Sequence, residues 1–341
     1  MTTTGTRPTA RPVAGSVDEL LAGAERRQRM VKTAESLSGS PFERVVIGGR
    51  RRVVKYLSAE IDWIMRVTED TVCRPVALWR AGVLDVLPPC LDHTIEGVSY
   101  DENTGEGAVL MRDVGPHFVD VTSGRIPLDQ HRRFIEHMAQ LHAAFWGLPD
   151  DLTGLCTHHA RYTALGPAKA AAEVARGTTD RVVHHIGPGW AALATAAPDL
   201  HAYAAALATD PSPLGAVLDD TPRTLVHGDW KAGNLGSHPD GRTILVDWAW
   251  PGRSGGCVDL AWYLAVNCDL LPEPKEAAIE AYREALERRG IATRGWFGRQ
   301  LEVALLGAFV QLGWSKAGQP AELTWWAGRV LPTARRLAGG S

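Results

Sequence analysis

The chain has 341 residues, of which 45% are hydrophobic and 22% are charged, and this size and composition are typical of a globular protein with two lobes or domains. A formal net charge of −3 argues against nucleic-acid binding, and no apolar run approaches the roughly 20 residues that a membrane-spanning helix needs. The five cysteines are scattered and form no CxxC pair, which indicates reduced thiols in a cytoplasmic protein and argues against disulfides or a zinc site.

The N-terminal region is predicted to contain a tail and a first helix. Residues 1–15 are rich in Thr, Pro and Arg, contain no acid and lack an amphipathic period, so they are predicted to be a disordered tail. The run from Ser16 to Glu19 is typical of a capping box, which marks the start of a helix. The sequence therefore predicts a helix from Ser16 to about Lys32.

A β-hairpin is predicted over residues 38–57. This segment is rich in β-branched residues on both sides of Gly48 and Gly49, and a glycine pair between two such runs favours a tight turn. Lys55 falls near the end of the second predicted strand.

The rest of the chain alternates between strand and helix patterns. Helices are predicted within 59–70, 128–147, 151–215, 275–289 and 299–314, and strands within 107–115, 224–227 and 243–246. Most strands come early, and helices around one late hairpin follow. This order predicts an α+β fold with a small, antiparallel-sheet lobe over 16–114 and a larger, mostly helical lobe over 115–341.

Polar residues cluster around two short apolar runs, 224–227 and 243–246. Asp229 and Asn234, which are five residues apart, follow the first run, and Asp247 directly follows the second run. If the two runs pair, the three side chains converge at one end of a small ribbon. Phosphoryl transfer needs such a set, because one carboxylate accepts the proton of the incoming hydroxyl while an amide and a second carboxylate hold Mg²⁺ on the nucleotide phosphates.

The pattern HGDxxxxN, followed by an apolar strand and Asp, resembles the catalytic core of the aminoglycoside-phosphotransferase and choline-kinase family, relatives of the protein kinases. The resemblance covers most of the chain and implies a two-lobed, protein-kinase-like fold. It implies that Asp229 is the catalytic base and that Asn234 and Asp247 are the Mg²⁺ ligands. Lys231 would neutralise the phosphoryl group during its transfer.

The same resemblance implies a nucleotide site in the small lobe. Lys55 would bind the nucleotide phosphates and would need an acidic partner on the following helix, for which Glu69 fits the family spacing and Glu60 is the alternative. The other implied contacts are a hinge, Met111, Arg112, Asp113 and Val114, and a phosphate loop, Ser38, Gly39 and Ser40. The choice between ATP and GTP stays open, because a hinge binds the nucleobase mainly through its backbone.

Four residues of the motif region are given structural roles. By the resemblance, Asp259 in the segment GGCVDLAWYL is a buried acid that binds backbone N–H groups of the catalytic loop. His227 is interpreted as a structural loop residue rather than an acid or base. Trp248 and Trp250, in the segment that stands where protein kinases have Asp-Phe-Gly, are predicted to pack between the two lobes.

The acceptor is predicted from charge balance. A site for polycationic aminoglycosides needs a surplus of carboxylates. Residues 151–220 carry seven acids against four Lys and Arg, and residues 260–341 carry eight against ten. The missing surplus favours a neutral or weakly charged acceptor, such as a sugar hydroxyl of a nucleoside-type or other natural-product antibiotic, with resistance by phosphorylation as the role.

Other functions remain as alternatives at this point. Within the same chemistry they are an aminoglycoside phosphotransferase and a metabolic sugar, choline or amino-alcohol kinase. Outside it they are a nucleotide-binding pseudokinase, which the filled base and metal positions disfavour, and a metal-dependent hydrolase, which needs more ligands near Asp229 than the sequence supplies. The expected partners are a nucleoside triphosphate and a small hydroxyl acceptor, and the oligomeric state is left open.

Overall fold

The computed structural model describes residues 9–30, 39–147 and 152–339. An antiparallel five-stranded sheet forms in the first third of the chain, and mostly helices follow it. The predicted two-lobed α+β fold class is therefore confirmed. The lobe limits at residues 114 and 115 stay a prediction.

Strands and helices are numbered in chain order. The strands are β1 (Ala24–Arg29), β2 (Phe42–Ile47), β3 (Arg50–Leu57), β4 (Leu91–Asp92), β5 (Ile95–Asp101), β6 (Glu106–Arg112), β7 (Thr224–Val226), β8 (Leu235–Ser237), β9 (Thr243–Leu245) and β10 (Gly252–Ser254). The α-helices are α1 (Val17–Leu20), α2 (Trp63–Val67), α3 (Arg74–Arg80), α4 (Leu128–Ala144), α5 (His158–Thr163), α6 (Pro167–Ala175), α7 (Arg181–Ala196), α8 (Pro198–Thr209), α9 (Ser212–Asp219), α10 (Cys257–Val266), α11 (Lys275–Arg288), α12 (Phe297–Leu312) and α13 (Pro320–Gly339). Short 3₁₀ turns cover Val83–Val86, Gly115–His117, Ala232–Asn234 and Gly313–Lys316.

The sheet has the strand order β1-β2-β3-β6-β5, and each neighbouring pair is antiparallel. The predicted hairpin is β2 and β3, joined through Gly48 and Gly49, whose φ angles of 57° and 70° are left-handed. Two successive positive φ angles are what a tight turn between twisted strands requires, and glycine adopts them without strain. One face of the sheet is closed by a small apolar cluster of Leu21, Val45, Val54, Ala108 and Leu110.

The long N-terminal helix that the capping box predicts does not form. Ser16 does cap a helix, and its Oγ accepts a hydrogen bond from the Glu19 N–H at 3.1 Å, but α1 is a single turn that is followed by Gly23 in a left-handed conformation. The next residues form β1, because pairing with β2 satisfies their backbone and outweighs a weak local helix preference. Lys32, the predicted end, lies outside the described residues.

Residues 9–15 make defined contacts, although they were expected to belong to a disordered tail. The Arg11 N–H donates to the carbonyl of Arg80, and Trp79 Nε1 donates to the carbonyl of Pro12 at 2.9 Å. Ala14 forms a parallel bridge to Ser99 in β5. This stretch is therefore held by α3 and β5. Residues 1–8 lie outside the described part of the chain.

The two apolar runs near the motif do not pair with each other, contrary to the sequence-based prediction. β7 pairs with β10, whereas β9 pairs antiparallel with β8 and parallel with β4. The segments β8 (LGS) and β10 (GRS) lack the β-branched composition from which strands are recognised in a sequence. The motif is still drawn together, because the Val246 N–H donates to the carbonyl of Asn234 at 3.1 Å.

The helical part matches the predicted pattern. α4 lies within 128–147 and buries Phe134, Met138 and Leu141, while α5 to α9 form where helices were expected after residue 151. α10 and α12 pack against each other at the centre of the main apolar core, which also contains Trp248 and Trp250. Within the described ranges, no helix has both the length and the apolarity to cross a lipid bilayer.

Helices α2 and α3, which follow β3, are attached to the helical part by an ion pair and by hydrogen bonds to main-chain carbonyls. Arg66 of α2 binds Glu173 of α6 through two nitrogens, with Nε–Oε1 at 2.9 Å and Nη2–Oε2 at 2.5 Å, and the Glu173 side chain is only 4% exposed. Lys169 of α6 donates to the carbonyl of Val67 at 2.6 Å. Arg74 of α3 donates to the carbonyl of Gly154 at 3.1 Å. The segment that follows Lys55 is thus positioned by residues far along the chain.

Candidate active site

The motif loop that follows β7 contains, as its second residue, a glycine that cannot be replaced. Gly228 has φ +81°, and a Cβ at this position would lie 2.1 Å from the carbonyl oxygen of Trp250 and 2.4 Å from the guanidinium of Arg161. A side chain at residue 228 would therefore displace the segment that contains Trp250. The short step from β7 to Asp229 depends on this close approach.

The Asp229 carboxylate is oriented by three donors. Oδ2 accepts hydrogen bonds from Lys231 Nζ at 2.6 Å and from Asn234 Nδ2 at 2.8 Å, and Oδ1 accepts one from Trp262 Nε1 at 3.0 Å. Three of the predicted site residues therefore meet. Trp262 was missed in the sequence, where an apolar residue in a helix next to Asp259 gives no sign of a donor role.

Asp259 is the structural acid that the resemblance implied, and this prediction is confirmed. It is fully buried on α10, and its two carboxylate oxygens accept the N–H groups of His227 and Gly228, each at 2.7 Å. His142 Nε2 lies 3.2 Å from Oδ2. Burial alone would raise the pKa of Asp259, but the hydrogen bond from His142 and nearby positive charge hold it below its usual value.

Replacement of Asp259 by alanine is expected to lower the free energy of unfolding by about 3 kcal/mol, because two buried backbone N–H groups lose their acceptor. Since the folded-state pKa is lowered, this contribution is present above the ordinary carboxyl range and is lost as the pH falls through the folded value. Urea unfolding of Asp259→Ala and the unchanged protein at pH 7 and in acid measures both effects.

The matched control for Asp259 is Asp240→Ala, on the turn between β8 and β9. Asp240 is exposed and its partners are local, so this change is expected to have a much smaller effect. An Asp259→Ala variant as stable as the control at pH 7 would contradict the assigned role. A difference that grows in acid would contradict the pKa argument.

His227 ties the motif loop to the segment that contains Asp247, as its structural interpretation predicted. It is fully buried, Nδ1 accepts the N–H of Asp229 at 3.2 Å, and Nε2 therefore donates to the carbonyl of Val246 at 3.1 Å. Burial lowers the pKa of His227 despite the acids around it, which favours this neutral tautomer.

Lys55 and Asp247 form a second carboxylate–lysine pair beside the first. Lys55 Nζ lies 2.7 Å from Asp247 Oδ1, across 192 positions of sequence. Burial would lower the pKa of Lys55, but Asp247, Asp62 and Asp229 raise it above its usual value. Burial would raise the pKa of Asp247, but Lys55 and Lys231 hold it below its usual value. Asp247 has a left-handed φ of 64°, a conformation that is uncommon outside glycine and is found at functional sites.

Glu69 does not pair with Lys55. Its exposed carboxylate binds Lys169 at 2.9 Å, because the chain turns at the end of α2 and gives Glu69 a φ of 56°. The alternative, Glu60, is also exposed. Besides Asp247 and Asp229, the acid whose charge acts on Lys55 is Asp62, which caps α2 and is 1% exposed.

Asp62 was not predicted from the sequence, because the family resemblance implies a glutamate as the partner of Lys55. Its Oδ2 accepts the hydroxyl of Ser40 at 2.6 Å, and its Oδ1 accepts the N–H of Ile64 at 2.8 Å. Burial raises the pKa of Asp62, and Lys55 opposes this effect. Asp62 thus links the predicted phosphate loop to Lys55.

The remaining predicted nucleotide contacts are the phosphate loop and the hinge, and their role stays a prediction. Gly39 has a left-handed φ of 70°, and Ser40 is buried, while Ser38 lies outside the described residues. In the hinge, Met111 pairs with strands on both sides of β6, and Arg112 forms an ion pair with Asp92. The Asp113 carboxylate lies within 4.0 Å of Arg44 and Arg51, and the Val114 carbonyl accepts the N–H of His117.

Asp247 and Asn234, the predicted Mg²⁺ ligands, carry oxygen atoms of the kind that bind a divalent cation. In the described parts of the chain, no three or more His, Cys, Asp or Glu side chains form a complete metal site. A Mg²⁺ ion bound to nucleotide phosphates needs only one or two protein ligands, because phosphate and water supply the rest. The hydrogen bonds of Asn234 use its amide nitrogen, which leaves the amide oxygen as the ligand atom.

The arrangement of Asp229, Asn234 and Asp247 agrees with a sequence match to a known family. A model of the phosphotransferase enzyme family matches residues 48–293, which is more than two thirds of the chain. The chain belongs to this family. The resemblance that the HGDxxxxN pattern indicated is thereby confirmed, and the protein is a phosphotransferase.

Solved structures that resemble this phosphotransferase have low sequence identity to it. They include a thermostable mutant of the aminoglycoside phosphotransferase APH(4)-Ia (14% identity, 95% of this chain and 98% of that chain, TM-score 0.48). The choline kinase LicA from Streptococcus pneumoniae matches at 12% identity, 90% and 96% coverage and TM-score 0.48, and a microcompartment-associated aminopropanol kinase matches at 15%, 95%, 97% and 0.47. No curated protein matches the sequence. Identities and scores this low carry no argument about the substrate of this phosphotransferase.

Proposed function

We propose that this phosphotransferase transfers the γ-phosphoryl group of ATP or GTP to a hydroxyl of a small, neutral or weakly charged acceptor, with Mg²⁺ as the metal. The observation that supports this is the proximity of two carboxylate–lysine pairs, Asp229 with Lys231 and Asp247 with Lys55. Asp229 helps to raise the pKa of Lys55, and Lys231 helps to lower that of Asp247, so charge from each pair reaches the other. Phosphoryl transfer depends mainly on such positioning and charge neutralisation.

In this mechanism Asp229 is the base. Its carboxylate orients the acceptor hydroxyl and takes its proton as the oxygen attacks phosphorus in line with the leaving nucleoside diphosphate. Lys231 Nζ lies 2.6 Å from Asp229 Oδ2, and it would turn to the phosphoryl oxygens when they arrive with their negative charge. Trp262, which donates to Oδ1, would keep the carboxylate plane fixed during the proton transfer.

Asp247 and Asn234 would hold the Mg²⁺, and Lys55 would bind the nucleotide phosphates. When bound, the ion would neutralise charge that develops on the phosphate oxygens. The Ser40 hydroxyl is occupied by Asp62, so the loop of Ser38, Gly39 and Ser40 would contact phosphate through its backbone. The backbone of the hinge, Met111, Arg112, Asp113 and Val114, would bind the nucleobase edge.

Ion pairing inside the helical part supports a neutral acceptor. Seven of the eight acids in 260–341 form ion pairs with cations of the same chain: Glu273 with Arg132, Glu276 with Arg329, Glu280 and Glu287 with Arg283, Glu284 with Arg288, Glu302 with Arg336, and Glu322 with Lys275. Between residues 152 and 220, Glu173 is held by Arg66 and Asp220 by Arg299. A polycationic acceptor would have to compete with these cations, so phosphorylation of a natural-product antibiotic without several ammonium groups fits better.

A panel of acceptors tests this proposal. The protein is incubated with γ-labelled ATP or GTP, Mg²⁺ and one of three classes of acceptor: neutral nucleosides and glycosides, a polycationic aminoglycoside, or choline and amino alcohols. Label transfer to a neutral hydroxyl compound, detected also as an 80 Da mass increase (about the mass of HPO₃), is the expected result. Fast transfer only to the aminoglycoside would overturn the acceptor class, and absence of nucleotide binding would overturn the whole proposal.

A further inference from the structure

Arg161 of α5 is a buried arginine whose hydrogen bonds go to main-chain carbonyls. It is 1% exposed, Nη1 donates to the carbonyl of Gly228 at 3.1 Å, and Nη2 donates to the carbonyl of Trp250 at 2.5 Å. The guanidinium also lies over the Trp250 ring, 6.0 Å from its centroid. Its Nε has no hydrogen-bond partner among the residues that the structure describes. A buried charge in an incompletely bonded state is costly, so its presence calls for an explanation.

The two carbonyls belong to the two segments that contain the proposed base and metal ligand. Gly228 directly precedes Asp229, and Trp250 comes three residues after Asp247. Because Gly228 has no side chain, its segment approaches the Trp250 carbonyl closely, and the guanidinium of Arg161 occupies the neighbouring space. One planar group that binds both carbonyls fixes the distance between the two segments.

The main chain at and just before α5, which contains Arg161, is itself held in place by hydrogen bonds. The carbonyl of Arg161 accepts a hydrogen bond from Gln311 Nε2 of α12 at 3.2 Å, and the Cys156 N–H donates to the carbonyl of Pro251 at 2.8 Å. α5 is therefore attached both to the central helix α12 and to the segment after Trp250. The backbone of Arg161 is thus held in place. If either active-site segment moved, the guanidinium would lose its buried hydrogen bond to that segment.

We infer that Arg161 is a positioning residue for phosphoryl transfer, which sets the separation of Asp229 from Asp247 by binding the carbonyls of Gly228 and Trp250. This inference rests on the proposed function, because it needs Asp229 and Asp247 to act on the same phosphoryl group. Displacement of a catalytic group by about 1 Å can lower a rate by roughly 10²-fold. An arginine suits this role because its planar guanidinium holds two donors in fixed directions, whereas a lysine ammonium is a point charge on a flexible stem.

The test compares Arg161→Gln and Arg161→Lys with a matched control, Trp190→Phe. Trp190 of α7 is 3% exposed and its Nε1 donates to the carbonyl of Leu165 at 3.1 Å, so the control removes one buried donor from the same group of helices without touching residues 228 or 250. Phosphate release from labelled ATP with Mg²⁺, where water is the acceptor, is measured far below the melting temperature of every variant. Circular dichroism verifies the fold of each.

Arg161→Gln is expected to lower kcat by about 10²-fold, to change the KM for ATP less than threefold, and to raise the Mg²⁺ concentration for half-maximal rate. Arg161→Lys is expected to fall between it and the unchanged protein. Trp190→Phe is expected to melt earlier with kcat unchanged, which is the behaviour of a residue that only stabilises the fold.

A normal kcat in folded Arg161→Gln overturns the inference, and if that variant does not fold, a normal kcat in Arg161→Lys does so. Asp229→Asn, assayed in parallel, separates this failure from failure of the proposed function. If Asp229→Asn is inactive while the Arg161 variants keep a normal kcat, only the positioning role is wrong. If Asp229→Asn retains normal activity, the role of Asp229 as the base in the proposed function is wrong.

Discussion

Asp229→Asn is expected to lose catalysis while it still binds nucleotide. Removal of a general base costs typically 10²–10⁴-fold in rate, so kcat is expected to fall by about 10³-fold. The Asp229 carboxylate accepts hydrogen bonds from Lys231, Asn234 and Trp262, whereas Lys55 bonds to Asp247, so the Kd for nucleotide is expected to change less than about threefold. Asparagine keeps the size of the side chain and removes the proton acceptor.

Turnover of Asp229→Asn is measured with the acceptor that the panel identifies, and nucleotide binding by isothermal titration calorimetry with ATP and Mg²⁺. Asp240→Asn, on the exposed turn of the nearby β8–β9 hairpin, is the matched control for a lost carboxylate and is expected to keep full activity. Near-normal turnover in Asp229→Asn would show that another group takes the proton. A large loss of ATP binding would place Asp229 in the nucleotide site instead.

Asp247→Asn is expected to impair both rate and metal–nucleotide binding. Loss of one preorganised charge in a phosphoryl-transfer site costs on the order of 10²–10³-fold in kcat, and the Mg²⁺ concentration for half-maximal rate is expected to rise about tenfold or more. Lys55 also loses its 2.7 Å partner and keeps only the charges of Asp62 and Asp229 as compensation. The combined loss of kcat and of Mg²⁺ affinity distinguishes Asp247→Asn from Asp229→Asn, which is expected to lose kcat alone.

Asp62→Asn is the matched control for Asp247→Asn, because both acids act on Lys55 but only Asp247 is a proposed metal ligand. Rates are measured as a function of free Mg²⁺ at saturating ATP for both variants. Only Asp247→Asn is expected to change the Mg²⁺ dependence, whereas Asp62→Asn is expected to raise the KM for ATP. Equal Mg²⁺ dependence in the two variants would remove Asp247 from the metal site.

Features that depend on short spacing in the sequence could be predicted. The β2–β3 hairpin follows from Gly48 and Gly49 between β-branched runs, and the contacts of Asp229 with Asn234 span five residues. The role of Asp259 was implied by the family resemblance and is visible as two hydrogen bonds of 2.7 Å. In these cases the local chain geometry leaves few alternatives.

Features that depend on tertiary partners could not be predicted. Residues 24–29 have a composition that permits a helix, and only the presence of β2 beside them makes a strand more stable. Asp62, the N-cap of α2, acts on Lys55, whereas Glu69, beyond the other end of that helix, binds Lys169 of α6. Trp262 donates to Asp229 because α10 packs beside the motif loop, and the sequence alone does not reveal this packing.

The ion pair between Arg66 and Glu173 limits how this enzyme can be divided or recombined. A fragment cut after the hinge would leave Arg66, whose side chain is 17% exposed, without the carboxylate that binds it, and Arg74 without the carbonyl of Gly154. A chimaera that receives helices α5 to α9 from a relative with another acceptor would lose the contacts of Glu173 and Lys169 with α2 unless the α2–α3 segment is transplanted with them. Changes of acceptor preference by helix grafting are therefore expected to disturb ATP affinity as well, since the grafted helices support the segment next to Lys55.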